Sequence, residues 1–280
     1  MKVLITGASG FTGYYLQEKL KSHSFEAICL KADLTNKKDL IKELQSLEFD
    51  HVIHLAAISN TQHSNFEDLY NVNTLGTDYL LESFLILNKN LKKILLVSSA
   101  NIYGDTKVLP ITEESIPVPN NHYALSKFAM EYIARSYEDK LPIIIARPFN
   151  YTGVGQSGNF VIPKIVNKFR TKEEFIELGN VNVKREFNDV RYVVDVYIQL
   201  LLKGIENEVY NVCSGKSYSI LSIMEMLFEL TSHKVNIRIN KNFLRDNEIH
   251  ELYGSPTKIE TLCDLSSEIH IKETLSWMLR

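Results

Sequence analysis

Five short apolar runs without alternation punctuate the first half of the chain: "KVLIT" (2–6), "EAICL" (26–30), "HVIHLAA" (51–57), "KILLVSS" (93–99) and "PIIIARPF" (142–149). A strand covered on both faces is apolar at nearly every position, so these runs predict buried parallel strands. The apolar spacing between them predicts helices over 13–22, 36–46, 68–88 and 123–138. Strand and helix in alternation predict an α/β fold built on a doubly wound parallel sheet. After Phe149 the pattern changes. "NYTGVGQSG" is loop-like, "FVIPKIVNKF" is helical, and a helix over 189–203 followed by "EVYNVCS" (208–214) returns to the sheet. Residues 1–149, rejoined by 187–214, are expected to form the larger unit; 150–186 and 215–280 are expected to form a smaller discontinuous lobe. The cleft between them, at the strand C-termini, is the expected ligand site.

Charge and cysteine content narrow the class of protein. The net charge is −3 and no five like charges adjoin. That argues against a nucleic-acid groove or an anionic membrane surface, and "KNLKK" (89–93) reads as a helix end leading into a strand. Three cysteines, Cys29, Cys213 and Cys263, are widely spaced. They read as buried thiols in a reducing compartment, not as a disulfide framework or metal site. The first strand begins at Lys2, no apolar run reaches membrane-spanning length, and a soluble cytoplasmic enzyme is expected.

"TGASGFTG" (6–13) follows the first strand and opens the first helix, with Gly7, Gly10 and Gly13 three apart. Glycines there permit a tight turn, close approach of backbone to a pyrophosphate, and close helix–strand packing; the helix N-terminus offers unpaired N–H groups. Three glycines alone would also describe a structural turn, but strand before and helix after point to a nicotinamide dinucleotide. Phe11 and Thr12 lie within the same loop, and Leu34 beside Asp33; all three are expected at the cofactor. Asp33 has the spacing of an acid that binds the adenosine ribose of NAD, whereas Lys31 stands where a 2′-phosphate would be met. The balance favours NADPH and leaves NADH open, since Lys31 reads equally as a solvated lysine.

"YALSK" places Tyr123 and Lys127 one helical turn apart. A nearby ammonium favours the phenolate, so Lys127 is expected to lower the Tyr123 pKa and to hold the nicotinamide ribose. Ser99 adds a hydroxyl at the end of the preceding strand. Glycine turn, strand-end serine and Tyr-x-x-x-Lys, in this order, resemble the extended short-chain dehydrogenase/reductase superfamily over essentially the whole chain. In that resemblance Leu55, Ala56 and Ala57 of "HLAA" line the cofactor, and Asn73 of "NVNTLGT" steadies a proton-relay water. His54, read by itself, is a packed strand histidine.

"RPFNYTGVGQSGNFVIPKIV" (147–166), "REFNDVRYVVDVY" (185–197), "YNVCSGKSYSI" (210–220) and "LRDNEIHELYGSPTKI" (244–259) resemble GDP-4-keto-6-deoxy-D-mannose reductases and their 4,6-dehydratase relatives. The resemblance implies that Asn150 orients the sugar, that Arg185 and Arg245 grip the nucleotide diphosphate, and that Glu248 takes its ribose hydroxyls. Guanidinium forks suit phosphate oxygens and a carboxylate suits vicinal hydroxyls. Asp246 stands where that family usually has a proline. The stretch between the first helix and "HVIHLAA" is also short, so one strand–helix unit has been trimmed.

Dehydratases of this type carry a glutamate two residues before the tyrosine of a "Y-G" turn; here that place holds Asn101, before Tyr103. An amide has no accessible pKa and cannot abstract a proton. It can bond a sugar hydroxyl or hold the turn. Ser59 and Asn60, just past "HLAA", could touch the sugar or cap the turn. The expected activity is NAD(P)H-dependent reduction of C4 in a nucleotide-linked 4-keto-6-deoxy sugar, with GDP inferred from the resemblance and surface-polysaccharide (O-antigen) synthesis as the pathway. The alternative is a nucleotide-sugar 4-epimerase holding NAD tightly; a non-catalytic NADP-binding protein fits less well, because both Tyr123 and Lys127 are present. The C4 stereochemistry stays open, as does the choice between a 6-deoxyhexose and a 6-deoxyheptose. Apolar residues on several helix faces (Leu80, Leu81, Phe84, Phe128, Tyr132) and the resemblance point to a homodimer.

Overall fold

The computed structural model describes residues 1–59, 63–243 and 249–280. Five strands form in the order of the apolar runs: β1 (Lys2–Thr6), β2 (Glu26–Cys29), β3 (His51–His54), β4 (Lys93–Val97) and β5 (Ile143–Pro148). With the Val209–Val212 strand beyond β5 they make one sheet, ordered Val209–Val212, β5, β4, β3, β1, β2. Every pairing in it is parallel. Every residue of β3 and β5 is buried, which explains why those runs lack alternation. β1 lies between β2 and β3, so the strand order reverses at β1/β3. A doubly wound sheet opens a crevice there, outside the strand C-termini.

Helices cover both faces. Helix α1 (Phe11–Ser22) packs with the later helix Val190–Lys203 over one face, around Leu16, Leu20, Val193 and Leu200. Helices α2 (Lys37–Ser46), α4 (Gly76–Ile86) and α5 (His122–Arg135) cover the other, around Leu40, Leu80, Phe84 and Ala134.

The continuous helix expected over 68–88 is instead three pieces. Helix α3 (Phe66–Tyr70) runs into a π-turn at Asn71–Leu75, and α4 follows. Apolar periodicity does not register one extra residue per turn; Asn73 sits inside that wide turn, a placement frequent at functional sites. The expected strands over 51–57 and 93–99 end at His54 and Val97. Leu55–Ala57 and Ser98–Ser99 therefore lie in the loops at the sheet's C-terminal edge.

Residues after Phe149 supply a separate apolar cluster, with Ile165, Phe169, Ile176, Ile223, Leu227 and Leu275 at its centre. A smaller cluster joins the turn after β4 to this region, bringing Ala100, Ile102 and Tyr103 against Phe149, Ile249 and Leu252.

Candidate active site

The glycine loop closes over the start of α1 at the reversal point. Gly7 adopts φ +70°, and a Cβ there would lie 2.7 Å from the Ala56 nitrogen. A Cβ on Gly13 would lie 2.5 Å from the carbonyl oxygens of Gly7 and Ala8. Gly10 caps α1 without a side-chain hydrogen bond, and the first turn carries no acid. A cradle that no Cβ could enter, below an uncapped helix N-terminus, suits a dinucleotide pyrophosphate. Leu55 and Ala56 border this turn: their backbone N–H groups donate to Thr6 O at 3.2 Å and Thr6 Oγ1 at 3.1 Å. Ala57, like both of them, is half-buried. Phe11 stacks on Tyr151, and Thr12 Oγ1 meets the Tyr151 hydroxyl at 2.8 Å, so both loop side chains are held by the segment after β5.

At the end of β2 the Lys31 side chain is exposed. The backbone N–H groups of Lys31 and Ala32 donate to the Glu43 carboxylate, at 3.0 and 2.5 Å. Asp33 accepts from the Thr35 backbone at 2.9 Å and its hydroxyl at 2.8 Å, bonds that pull its carboxyl below the usual range. Leu34 is buried against Gly76 in the core, so its side chain supports the loop from beneath.

Asn121 starts α5 by accepting the Ala124 N–H at 2.9 Å, which places Tyr123 in the first turn and Lys127 one turn deeper. Both are buried. Tyr123 lies beside Ser99, whose hydroxyl projects from the loop after β4 and acts to lower the phenol's pKa. Lys127 Nζ donates to Val97 O at 2.8 Å. The expectation that Lys127 lowers the Tyr123 pKa needs correction. Burial pushes the phenol up to about 12, opposed by Ser99 and reinforced by Tyr151. Burial also pushes Lys127 down to about 8, opposed by the charge of Glu131. Burial is the largest cause of each shift.

Asn73 is fully buried and its amide is committed: Oδ1 accepts Ile58 N at 2.8 Å, and Nδ2 donates to Ile58 O at 3.1 Å and Ser126 Oγ at 3.0 Å. It thus ties the π-turn to the loop after β3 and to α5. His54 is a packed strand histidine, as read: Nδ1 meets Thr6 Oγ1 at 2.7 Å and Nε2 meets Thr77 Oγ1 at 2.9 Å. Thr77 in turn donates to Asn73 O at 2.8 Å, leaving its oxygen to accept from His54. Burial first, and then Lys127, push the imidazole down to about 3, so it stays neutral.

The remaining expected substrate residues that are described come from several separate stretches of the chain. Asn101 bonds Ser99 Oγ, as detailed below. Asn150 is exposed just past β5, its carbonyl accepting Asn188 N at 2.8 Å. Ser59 is exposed; Asn60, Arg245 and Glu248 lie outside the described residues. Arg185 bonds the carbonyls of Lys184 at 2.8 Å, His250 at 3.4 Å and Ile249. It is thereby tied to Ile249 and His250.

Two buried groups escaped the sequence reading. Arg147 bonds Glu131 through both carboxylate oxygens, at 3.0 and 2.7 Å, and the Tyr103 hydroxyl at 2.8 Å. Tyr103 donates a hydrogen bond to Asn211 Oδ1 at 2.8 Å. Glu186 accepts from Ser214, Asn188 and Gly254, pinning the end of the Val209–Val212 strand to the second region. A signal existed for the first: Glu131 lies four residues past Lys127 on one helix.

A nicotinamide-type cradle and a Ser–Tyr–Lys set at the same sheet edge agree with a family model. The model of the NAD dependent epimerase/dehydratase family matches residues 3–213. The chain belongs to that family. It is 39% identical over 264 residues to a GDP-6-deoxy-D-talose 4-dehydrogenase of Aggregatibacter actinomycetemcomitans, spanning 92% of this chain and 90% of that one. It is 32% identical to a GDP-6-deoxy-D-mannose reductase of Pseudomonas aeruginosa, spanning 99% and 96%. The structure of RMD from Pseudomonas aeruginosa complexed with NADPH superposes with a TM-score of 0.90 at 32% identity, over 99% of this chain and 97% of that one. A UDP-glucuronic acid 4-epimerase from Bacillus cereus, 23% identical, shares the fold with a TM-score of 0.90, over 100% and 98%.

Proposed function

We propose that the protein reduces the C4 carbonyl of a GDP-linked 4-keto-6-deoxy sugar with NADPH, in the supply of deoxysugars for surface polysaccharide. The observation that carries this reading is the pairing of Ser99 and Tyr123 at the sheet edge with an amide, Asn101, beside them. The cradle of Gly7, Gly10 and Gly13 holds the cofactor pyrophosphate, and Lys127 holds the nicotinamide ribose. When bound there, the nicotinamide would supply the hydride. Ser99 donates a hydrogen bond to the carbonyl oxygen while Tyr123 delivers the proton. A phenol pushed up to about 12 keeps its proton at neutral pH and gives it to a more basic developing alkoxide. Preplaced donors on that oxygen contribute several kcal/mol of barrier lowering, about the worth of an oxyanion-hole donor. No carboxylate stands at position 101 to remove a proton at C5, so the reading ends at reduction, without elimination.

Arg185, with Arg245 and Glu248, is assigned to the nucleotide, and Asn150 and Ser59 to the sugar. Leu80, Leu81 and Phe84 are buried in the chain's own core and offer no dimer face, so the proposed homodimer rests on the exposed Tyr132 and on the family resemblance. The identity of 39% with the talose-named relative against 32% with the mannose-named one favours an axial, talose-type product. NMR of the product formed from GDP-4-keto-6-deoxymannose and NADPH tests this: GDP-6-deoxytalose is expected, and the C4 epimer would refute the stereochemical assignment. An epimerase would release NAD on denaturation and interconvert C4 epimers without added reductant. Either finding would replace the reductase reading.

A further inference from the structure

Ser99 ends the loop after β4 with its backbone extended and caps the short turn Ala100–Tyr103. Its Oγ accepts two N–H groups from one residue, the Asn101 backbone at 3.2 Å and the Asn101 amide Nδ2 at 3.1 Å. A serine hydroxyl has two lone pairs and one proton. With both lone pairs engaged, the hydroxyl can only donate. Its one proton is therefore available to an acceptor on the side away from Asn101, which in the proposed reaction is the substrate carbonyl oxygen, and Ser99 cannot accept the Tyr123 proton.

The turn that carries the amide is rigid. Gly104 closes it at φ +63°, where a Cβ would lie 2.1 Å from Val118 O, so no other residue fits without moving the chain. Ala100, Ile102 and Tyr103 are buried, and Tyr103 is anchored through its hydroxyl to Asn211 and Arg147. Asn101 has the freedom of its own side chain and little else.

We propose that Asn101 is a positioning residue that makes Ser99 an obligate hydrogen-bond donor, directing the Ser99 proton toward oxygen and leaving the Tyr123 proton for the substrate carbonyl. This rests on the carbonyl-reduction reading, because a carbonyl oxygen only accepts. An aspartate at 101 has the same shape with the opposite polarity: its carboxylate takes the Ser99 proton and withdraws the donor from the reacting oxygen.

The direct test is neutron diffraction from deuterium-exchanged crystals of the NADPH complex. The expected result is amide deuterons of Asn101 pointing at Ser99 Oγ and the Ser99 deuteron pointing away from Asn101. A Ser99 deuteron directed at the Asn101 side chain overturns the proposal. Kinetics give a second reading. Asn101→Asp, though isosteric, is expected to lower kcat about 100-fold with the sugar-nucleotide KM little changed, whereas Asn101→Ala, which keeps the backbone donor, loses about 10-fold. On a Ser99→Ala background the aspartate should add little. A role confined to holding the turn gives the reverse order, aspartate milder than alanine, and would sink the idea. A wild-type enzyme inert toward the keto sugar would refute the proposed function instead, and the deuteron positions would still decide this inference.

Discussion

Glu131→Gln moves the titration of Lys127 without touching Lys127 itself. Lys127 is held at about 8 because burial depresses it and the Glu131 charge lifts it. Residues four apart on a helix lie roughly 6 Å from each other, so a unit charge at an effective dielectric of about 20 is worth about 3 kcal/mol. At 1.36 kcal/mol per pKa unit, that places the lysine of the variant near pH 6. The protonated fraction at pH 7.5 then falls roughly twenty-fold. The assay is kcat/KM for NADPH against pH, which reports the free enzyme. The wild type should lose activity as pH rises through about 8, and Glu131→Gln should lose it about two units lower. Adding Arg147→Met removes the positive charge that Glu131 otherwise neutralises, and should return the limb toward the wild-type position. Breaking half of a buried pair also costs about 3–5 kcal/mol of stability, so the fold of the single variant is checked at the assay temperature. A limb that stays at its wild-type pH in Glu131→Gln would refute the argument.

Three further outcomes are expected. Tyr123→Phe should reduce turnover by at least about 100-fold, within the range general acid catalysis contributes, while calorimetry finds NADPH and GDP binding intact; wild-type turnover in that variant would exclude Tyr123 as the acid. His54 is neutral down to about pH 3 in the folded chain but has an ordinary value of 6.5. The unfolded state therefore binds the extra proton between those values, and stability falls as pH drops through that window, by roughly 5 kcal/mol in all. Urea denaturation of His54→Gln should show a shallower acid slope, even if the variant is less stable at neutral pH; an unchanged slope would contradict a buried neutral imidazole. Gly13→Ala drives a methyl into two backbone oxygens 2.5 Å away. It should cost about 1–3 kcal/mol and weaken NADPH binding more than tenfold, measured by cofactor fluorescence.

The fold was legible because its signals are local. Short continuous apolar runs bounded by turn residues fit strands covered on both faces, and glycines at 7, 10 and 13 admit few roles between a strand and a helix. Ser99, Tyr123 and Lys127 could be paired on paper because each sits at a predictable end of an element. The site's electrostatics were not legible, since desolvation depends on what packs around a side chain. Lys127 was expected to lower the Tyr123 pKa; the protein buries both, and each shifts toward its neutral form. The π-turn around Asn73 was invisible because apolar spacing does not record a single inserted residue. The bond from Asn101 to Ser99 was likewise hidden, because it depends on the side-chain geometry of a four-residue turn. Arg147 and Glu131 lie 16 residues apart and meet only when β5 packs against α5.

The central claim is reduction at C4 without elimination, and the absorbance of NADPH tests it directly. The purified protein is mixed with NADPH and either GDP-mannose or GDP-4-keto-6-deoxymannose. The account predicts stoichiometric loss of NADPH with the keto sugar and none with GDP-mannose, which also stays undehydrated. No oxidation with the keto sugar, or conversion of GDP-mannose to it, would contradict the account.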